Sequence, residues 1–279
     1  MNKIALWFRI IRPQTLAASL CPVCVGLIVC SCPKPPVGVV TAFCALSLQI
    51  LSNLINDYYD FVRGSDKKGR AGFKRALAEG LVSEKQMLVA CAVTLALVLA
   101  SGLFLVISGG FPILVIGVSA IVFAWLYTAT DHSLSYLGIA DIFVFLYYGV
   151  IATTGTVFLQ NGQWSLQAFY AGAVCGLISM CVLIANNLRD MESDRAAGKR
   201  TFPVRFGKKA GETGYLVVIL LTPVFAYLAF GFSPAVFILI PGLFLYWKVL
   251  KAEGPGYNIC LMLAGALNVL YTILCIFSV

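Results

Sequence analysis

The chain has 279 residues and a net charge of +8, with 60% hydrophobic and only 11% charged positions. Soluble domains carry about 25% charged residues. The composition therefore excludes a soluble globular domain, a disordered chain and a disulfide scaffold, and it places nearly all of the chain in lipid. In chain order, the basic start (Lys3, Arg9 and Arg12, then Pro13) predicts a short interfacial segment. No small-residue cleavage pattern follows, so this is not read as a signal peptide. Windows of about 20 apolar residues then predict nine membrane helices. They cover residues 14–32, 37–56, 86–106, 110–128, 134–157, 166–188, 213–231, 234–247 and 258–278. The eighth is short, and Pro241 is expected to kink it.

The distribution of charge tests this division. With the N-terminus inside and sides alternating, all the Lys and Arg residues but Lys34 fall on one face. Cytoplasmic loops carry such an excess. A wrong helix count between the clusters would scatter the charges over both faces. The expected architecture is an all-α, multi-pass membrane protein of nine transmembrane helices around a central cavity, with its N-terminus and basic loops in the cytoplasm. No nucleic-acid partner is expected. Of the ten cysteines, most lie in apolar runs, where Cys acts as a small hydrophobe. Cys21 and Cys24 form a C-x-x-C within the first span, and the only histidine is His132, so packing is preferred to redox or zinc chemistry.

Two clusters of acids and amides stand on the basic side. Asn53, Asn56, Asp57, Asp60 and Asp66 lie in NLINDYYDFVRGSD, and Asn186, Asn187, Asp190, Glu192 and Asp194 in NNLRDMESD. An offset of 130 carries Asn56 to Asn186, Asp57 to Asn187, Asp60 to Asp190, Arg70 to Arg200 and Arg75 to Arg205. One membrane domain over 1–279 is therefore expected to hold two related Asp-motif halves, roughly 1–130 and 131–279. Repeats in membrane folds commonly share a site at their interface. Asn56, Asp57 and Asp60 share a helix face by their i,i+3 and i,i+4 spacing. Asn186, Asp190 and Asp194 do the same if the helix continues that far. Such rows of hard oxygens suit Mg²⁺ and lack the His and Cys usual at zinc sites. Acids beside basic loops can also simply balance charge at the membrane surface. Repetition of both ingredients, acids for a metal and bases for phosphate oxygens, favours a metal–diphosphate site.

At these residues the chain resembles the UbiA superfamily of intramembrane prenyltransferases over nearly its whole length. Arg12-Pro13-Gln14-Thr15-Leu16 with Pro22 resembles the opening segment, Asn56 to Asp60 the first Asp motif, and Asp190 to Asp194 the second. Gly64-Ser65-Asp66, and NNLRDMESD running into Gly198-Lys199-Arg200-Thr201 and Val204-Arg205-Phe206-Gly207, resemble the branch that prenylates 1,4-dihydroxy-2-naphthoate in menaquinone biosynthesis. Two positions depart from that branch. ATDHS follows Tyr127-Thr128 where a glycine pair and proline are common, and Phe73 replaces a common proline. The first departure lies where the aromatic acceptor is expected, so the reaction class is better specified than the acceptor.

The resemblance implies transfer of a polyprenyl group from its diphosphate to an aromatic acceptor at a bacterial cytoplasmic membrane. The acceptor is 1,4-dihydroxy-2-naphthoate, with loss of CO₂, and 4-hydroxybenzoate is the runner-up. Asn56, Asp57, Asp60, Asp66, Asp190 and Asp194 are the implied Mg²⁺ ligands. Lys67, Lys68, Arg70, Lys74, Arg75, Lys199, Arg200 and Arg205 form the pool of phosphate clamps, with Arg75 and Arg200 foremost and topology charge as the alternative role. Asn187, Tyr59 and Tyr127 join the substrate-binding set, and Tyr58, Tyr147 and Tyr148 are further candidates to face an allylic cation. Asp141, the one acid inside a predicted span, is a candidate for orienting or deprotonating the acceptor hydroxyl. It also reads as a helix-end acid or a buried hydrogen-bonding group. A secondary transporter is the non-enzyme alternative. A CDP-alcohol phosphotransferase is disfavoured, because the D-G-x-x-A-R continuation is missing after Asp60.

Overall fold

The computed structural model describes residues 3–64, 75–126, 134 and 138–279, and every regular element among them is helical. Helix α1 (Lys3–Ile10) sets Ile10, Leu6 and Trp7 against Leu54, Leu77 and Met87 and leaves Phe8 exposed, as an interfacial helix does. The chain turns at Arg12 into α2 (Pro13–Val29), with Pro13 in the first turn, where a missing N–H costs nothing. Next come α3 (Pro35–Val62) and α4 (Glu84–Gly109). Helix α4 begins at a reciprocal cap: Gln86 N–H donates to Ser83 Oγ at 3.2 Å, and Ser83 N–H to Gln86 Oε1 at 2.9 Å.

Helix α5 (Phe111–Leu126) precedes a span built in three pieces: α6 (Ala140–Phe145), a π-helical turn (Leu146–Val150) and α7 (Ile151–Asn161). Then follow α8 (Leu166–Arg189), the short α9 (Met191–Ala196) and α10 (Phe202–Phe206), and α11 (Lys208–Phe230). A 3₁₀ turn (Pro234–Ile238) leads into α12 (Leu239–Leu250), and α13 (Tyr257–Ile276) ends the chain. Pro241 lies in the first turn of α12, where a missing N–H costs no helical hydrogen bond, and a 3₁₀ turn precedes it.

Six helices are long and apolar enough to cross a membrane: Pro35–Val62, Glu84–Gly109, Ala140–Asn161, Leu166–Arg189, Lys208–Phe230 and Gly254–Ile276. The other three expected spans coincide with shorter apolar helices, Thr15–Val29, Phe111–Leu126 and Pro234–Leu250. At 1.5 Å per residue, a 16-residue helix covers about 24 Å of a core about 30 Å thick. Leu103, Ile107 and Phe111 are 62%, 77% and 74% exposed, part of an apolar outer surface that only lipid can cover. All ten cysteines are free thiols, and six of them are buried.

Helix α8 is the axis of the bundle, with fifteen buried residues. Lipid tails are as apolar as the helices, so association depends on close packing, which small residues permit. Gly172 and Gly176 on α8 face Gly149 in the π-helical turn. A Cβ on Gly149 would stand 2.5 Å from the Gly172 carbonyl oxygen, and one on Gly172 would stand 2.9 Å from the Gly149 oxygen. Helices α11 to α13 close around α8 as a continuous core that includes Tyr215, Ile219, Leu267 and Tyr271.

An apolar cavity lies beside this core. It is about 530 Å³ and lies between α2, α3, α4, α5 and the 140–161 span, with no lining residue from α8 onward. Tyr147 and Tyr148, carried by the π-helical turn, line it with Phe123. Such turns often mark functional sites. We expect Gly149→Val to destabilise the detergent-solubilised protein by about 2 kcal/mol or more through overpacking. Gly102→Ala, with nothing within 4 Å of its new Cβ, should leave the unfolding midpoint unchanged. Equal midpoints for wild type and Gly149→Val in a thermal melt contradict this packing.

Candidate active site

The first acidic motif occupies the last turns of α3. The helix runs to Val62, six residues past the predicted end, so Asn56, Asp57 and Asp60 keep their helical spacing and share one face. Its end is set by Gly64, whose φ of 68° suits only a residue without Cβ. The second motif straddles a break. Helix α8 stops at Arg189, Asp190 is non-helical, and α9 resumes at Met191. The i,i+4 register survives the break, because Asp190 N–H donates to Asn186 O at 3.0 Å and Asp194 N–H to Asp190 O at 2.8 Å. Asn186, Asp190 and Asp194 thus keep the expected row without one continuous helix. Gly198 (φ 76°) caps α9, and Lys199 N–H returns to Asp194 O at 2.9 Å, which fixes where the Lys199 side chain starts.

Each motif carboxylate meets a cation. Asp57, 2% exposed, accepts from Arg75 Nη1 at 2.7 Å and from Arg12 Nη2 on the same oxygen. Asp190 is gripped by its neighbour Arg189 through a fork, Nε to Oδ1 at 2.8 Å and Nη2 to Oδ2 at 2.7 Å. Arg189 also donates to Asn186 Oδ1 at 2.6 Å and, through Nη1, to Asn258 Oδ1 on α13 at 2.7 Å. Lys199 joins the two motifs: its Nζ stands 3.8 Å from Asp60 Oδ1 and 3.7 Å from Asp194 Oδ1. The two helix tips therefore face one another across a single ammonium. Buried carboxylates ionise together only if cations offset their repulsion and lost hydration. Here four cations (Arg12, Arg75, Arg189 and Lys199) stand on four carboxylates.

The sequence singled out Arg75 and Lys199 as bases but read Arg12 and Arg189 only as topology charges, although both lie inside quoted motifs. Arg12 is placed by a polar knot. Asn53 Nδ2 donates to Ile11 O and to Thr15 Oγ1, both at 3.0 Å, and Thr15 Oγ1 donates to Arg12 O at 2.9 Å. This knot holds Arg12 at φ 55°, the one positive φ among described non-glycine residues. Asn53 thus supports the turn rather than joining the row of ligands. Asn258 had no sequence signal, because its role depends on how α13 docks.

Other expected residues are distributed as follows. Asn56 Oδ1 is buried without a hydrogen-bond partner, and Asn187 is buried. Tyr59 packs edge-on against Tyr58 at 5.3 Å and Trp125 at 5.8 Å between ring centroids. Arg200 is exposed, and its carbonyl packs against Gly138. Arg205 is exposed over the Phe206 ring at 5.4 Å. The cation between the motifs is therefore Lys199, not Arg200. Asp141 lies in the first turn of α6, since that span starts at Ala140 rather than 134. There its charge meets the positive end of the helix, and its Oδ1 is buried without a hydrogen-bond partner. Asp66, Lys67, Lys68, Arg70, Lys74 and Tyr127 lie outside the described residues.

Among the described residues no three of His, Cys, Asp and Glu converge into a preassembled metal group, because cations hold the acids apart. The donor chemistry nonetheless fits Mg²⁺. Every candidate ligand is a hard oxygen, Asp60 Oδ1 and Asn56 Oδ1 are buried without hydrogen bonds, and neither motif contains a Cys or His.

A profile of the UbiA prenyltransferase family matches residues 19–276. The chain belongs to this family and is a membrane-embedded transferase. Its similarity within the family is to proteins named 1,4-dihydroxy-2-naphthoate octaprenyltransferase. That of Escherichia coli (strain K12) is 34% identical over 217 residues, 75% of this chain and 70% of the relative. That of Haemophilus influenzae is 33% identical over 246 residues, 84% and 80%. Among solved structures, a UbiA homolog from Archaeoglobus fulgidus bound to GPP and Mg²⁺ superposes with a TM-score of 0.72 at 18% identity, covering 98% of this chain and 99% of that one.

The cation placement ranks the motif carboxylates by structural cost. Asp57→Ala removes the acceptor shared by two half-buried guanidiniums, Arg12 and Arg75, a loss of about 1.5–3 kcal/mol. Asp60→Ala removes only a 3.8 Å contact and leaves Lys199 on Asp194. In ligand-free detergent melts Asp57→Ala should unfold at clearly lower temperature than Asp60→Ala, and the reverse order contradicts the pairing.

Proposed function

We propose that the chain is a Mg²⁺-dependent aromatic polyprenyltransferase. It moves the prenyl group of a polyprenyl diphosphate to 1,4-dihydroxy-2-naphthoate and releases CO₂, giving demethylmenaquinone and diphosphate. The observation that carries this reading is Lys199 set between Asp60 and Asp194, which makes one site of the two acidic motifs. The printed activity of the relatives supports the acceptor, and the GPP and Mg²⁺ of the solved homolog support the donor and the metal.

An allylic carbon–oxygen bond ionises when the departing diphosphate is held. Mg²⁺ held by Asp57, Asp60, Asp190 and Asp194, with Asn56 and Asp66, supplies Lewis-acid charge to that group. Arg75 and Lys199, which stand on the motif carboxylates, donate charge-assisted hydrogen bonds to its oxygens. Asn187, Arg200 and Arg205 belong to the same substrate-binding set at its loop side. The prenyl carbons run into the apolar cavity, where Tyr147, Tyr148 and Phe123 keep water from the cation and present ring faces to it. Tyr59 and Tyr127 flank the acceptor, and Asp141 orients its hydroxyl. The naphthoate carbon bearing the carboxylate forms the new bond, and the electrons left by departing CO₂ restore the aromatic ring.

In this reading the three shorter apolar helices also cross the membrane, which makes nine crossings. The N-terminus and both motifs then face the cytoplasm of a bacterial inner membrane, as the charge distribution requires.

The test is product mass after incubation of the purified chain with prenyl diphosphate and a panel of naphthoate and hydroxybenzoate acceptors. A demethylmenaquinone mass, lost on chelation of Mg²⁺, is expected. A prenylated hydroxybenzoate instead reassigns the acceptor, and transport without product returns the non-enzyme reading. Asp60→Ala and Asp190→Ala should each lower turnover about 100-fold or more. Normal turnover in folded variants removes the two motifs from the chemistry.

A further inference from the structure

The wall of the apolar cavity is not uniformly apolar. Ser19, Thr41 and Thr156 line it, and each turns its hydroxyl onto a carbonyl of its own helix. Gln49 and Ser52 of α3 and Tyr148 of the π-helical turn also line it. Gln49 is 6% exposed, and the knot at Arg12 orients its amide. Asn53 gives Nδ2 to the Ile11 carbonyl, which can only accept, so its Oδ1 is turned to Gln49 and receives Gln49 Nε2 at 3.2 Å. Gln49 Nε2 also reaches Thr15 Oγ1 at 3.4 Å. The other end of the amide, Oε1, is buried without a hydrogen-bond partner. Among the described residues it is the one such atom on a residue that lines the cavity. The Tyr148 phenol stands close to Gln49 and Ser52, carried by a backbone that leaves the helix at φ −90°, ψ 15°.

A buried acceptor without a donor is unfavourable, and it marks a place for a donor from outside the chain. A prenyl tail, made of carbon and hydrogen, has none to give. A phenol has one: its O–H donates to Gln49 Oε1, and its oxygen accepts from the Tyr148 or Ser52 hydroxyl. Gln49 precedes Asp57 on α3 by about 12 Å along the axis. That separation leaves room for a reacting carbon and an aromatic ring.

Resting on the acceptor proposed above, we infer that Gln49, Ser52 and Tyr148 form a subsite that recognises a hydroxyl of the aromatic acceptor. That acceptor has two hydroxyls; Asp141 takes one and this polar seam takes the other. The seam selects hydroxylated rings in a cavity lined chiefly by hydrocarbon, and it fixes which ring carbon is presented to the prenyl cation.

The experiment is calorimetric titration of the full chain in detergent, with Mg²⁺ and inorganic diphosphate present. The ligands are 2-naphthoate, 1-hydroxy-2-naphthoate and 4-hydroxy-2-naphthoate, so no turnover is needed. Each added hydroxyl should tighten binding to wild type, one of them by about tenfold through the seam. In Gln49→Leu that gain should vanish while the other persists. Tyr148→Phe, which keeps the ring, should diminish the same gain, and it carries the comparison if Gln49→Leu does not fold. A loosened Arg12 turn weakens all the ligands alike and leaves both gains in place.

Both gains surviving undiminished in the variants overturns the inference and leaves the seam a site for water. Wild type that gains nothing from either hydroxyl overturns it too, with the acceptor reading intact. Wild type that binds none of the naphthoates strikes the acceptor reading itself, and the role of the seam with it.

Discussion

The constraint on which the structure turns is electrostatic. Four carboxylates are buried at the ends of two helices, in a region where an unpaired charge costs several kcal/mol. They remain tolerable because each has drawn in a cation: Arg12 and Arg75 on Asp57, Arg189 on Asp190, and Lys199 between Asp60 and Asp194. Much of the surrounding architecture serves to deliver those cations. The Asn53 knot sets Arg12, the Gly198 cap sets Lys199, and α13 sets Arg189 through Asn258.

Packing divides the molecule into a rigid part and a hollow one. Helices α11 to α13 close on α8 as a dense core, and Gly149, Gly172 and Gly176 bring the 140–161 span into backbone contact with that axis. On the other side α5, whose only buried residue is Ile113, packs that residue with Cys44 of α3 and Leu105 of α4 and bounds the cavity. A reactive cation needs a dry space beside a charged one. The fold packs one part tightly and leaves an apolar cavity beside α3, whose last turns carry the first acidic motif.

The amino-acid sequence made the helices and both motifs legible because hydropathy and i,i+3/i,i+4 spacing are local properties. It placed Asp57 and Asp60 on one face and, through the row from Asn186 to Asp194, tolerated the break at Asp190 that no residue announced. It left open what depends on docking. Which helices line the cavity (α2 to α5 and the 140–161 span) was not in the hydropathy pattern. That Lys199 stands between the motifs while Arg200 is exposed was not legible, because a repeat offset carries no information about which side chain a cap points inward. Arg12 and Arg189 were counted only by side of the membrane, since their roles come from partners 45 residues away and on α13. The offset of 130 illustrates the same limit. Arg75 sits on Asp57, while its counterpart Arg205 lies over Phe206.

The turn between α1 and α2 ties α1 to the first acidic motif. Ile11 is held by Asn53 and Arg12 by Asp57, so a pull on α1 is transmitted to the first carboxylate within two residues. Peripheral though it looks, helix α1 leads directly into the ion pairs of the first acidic motif.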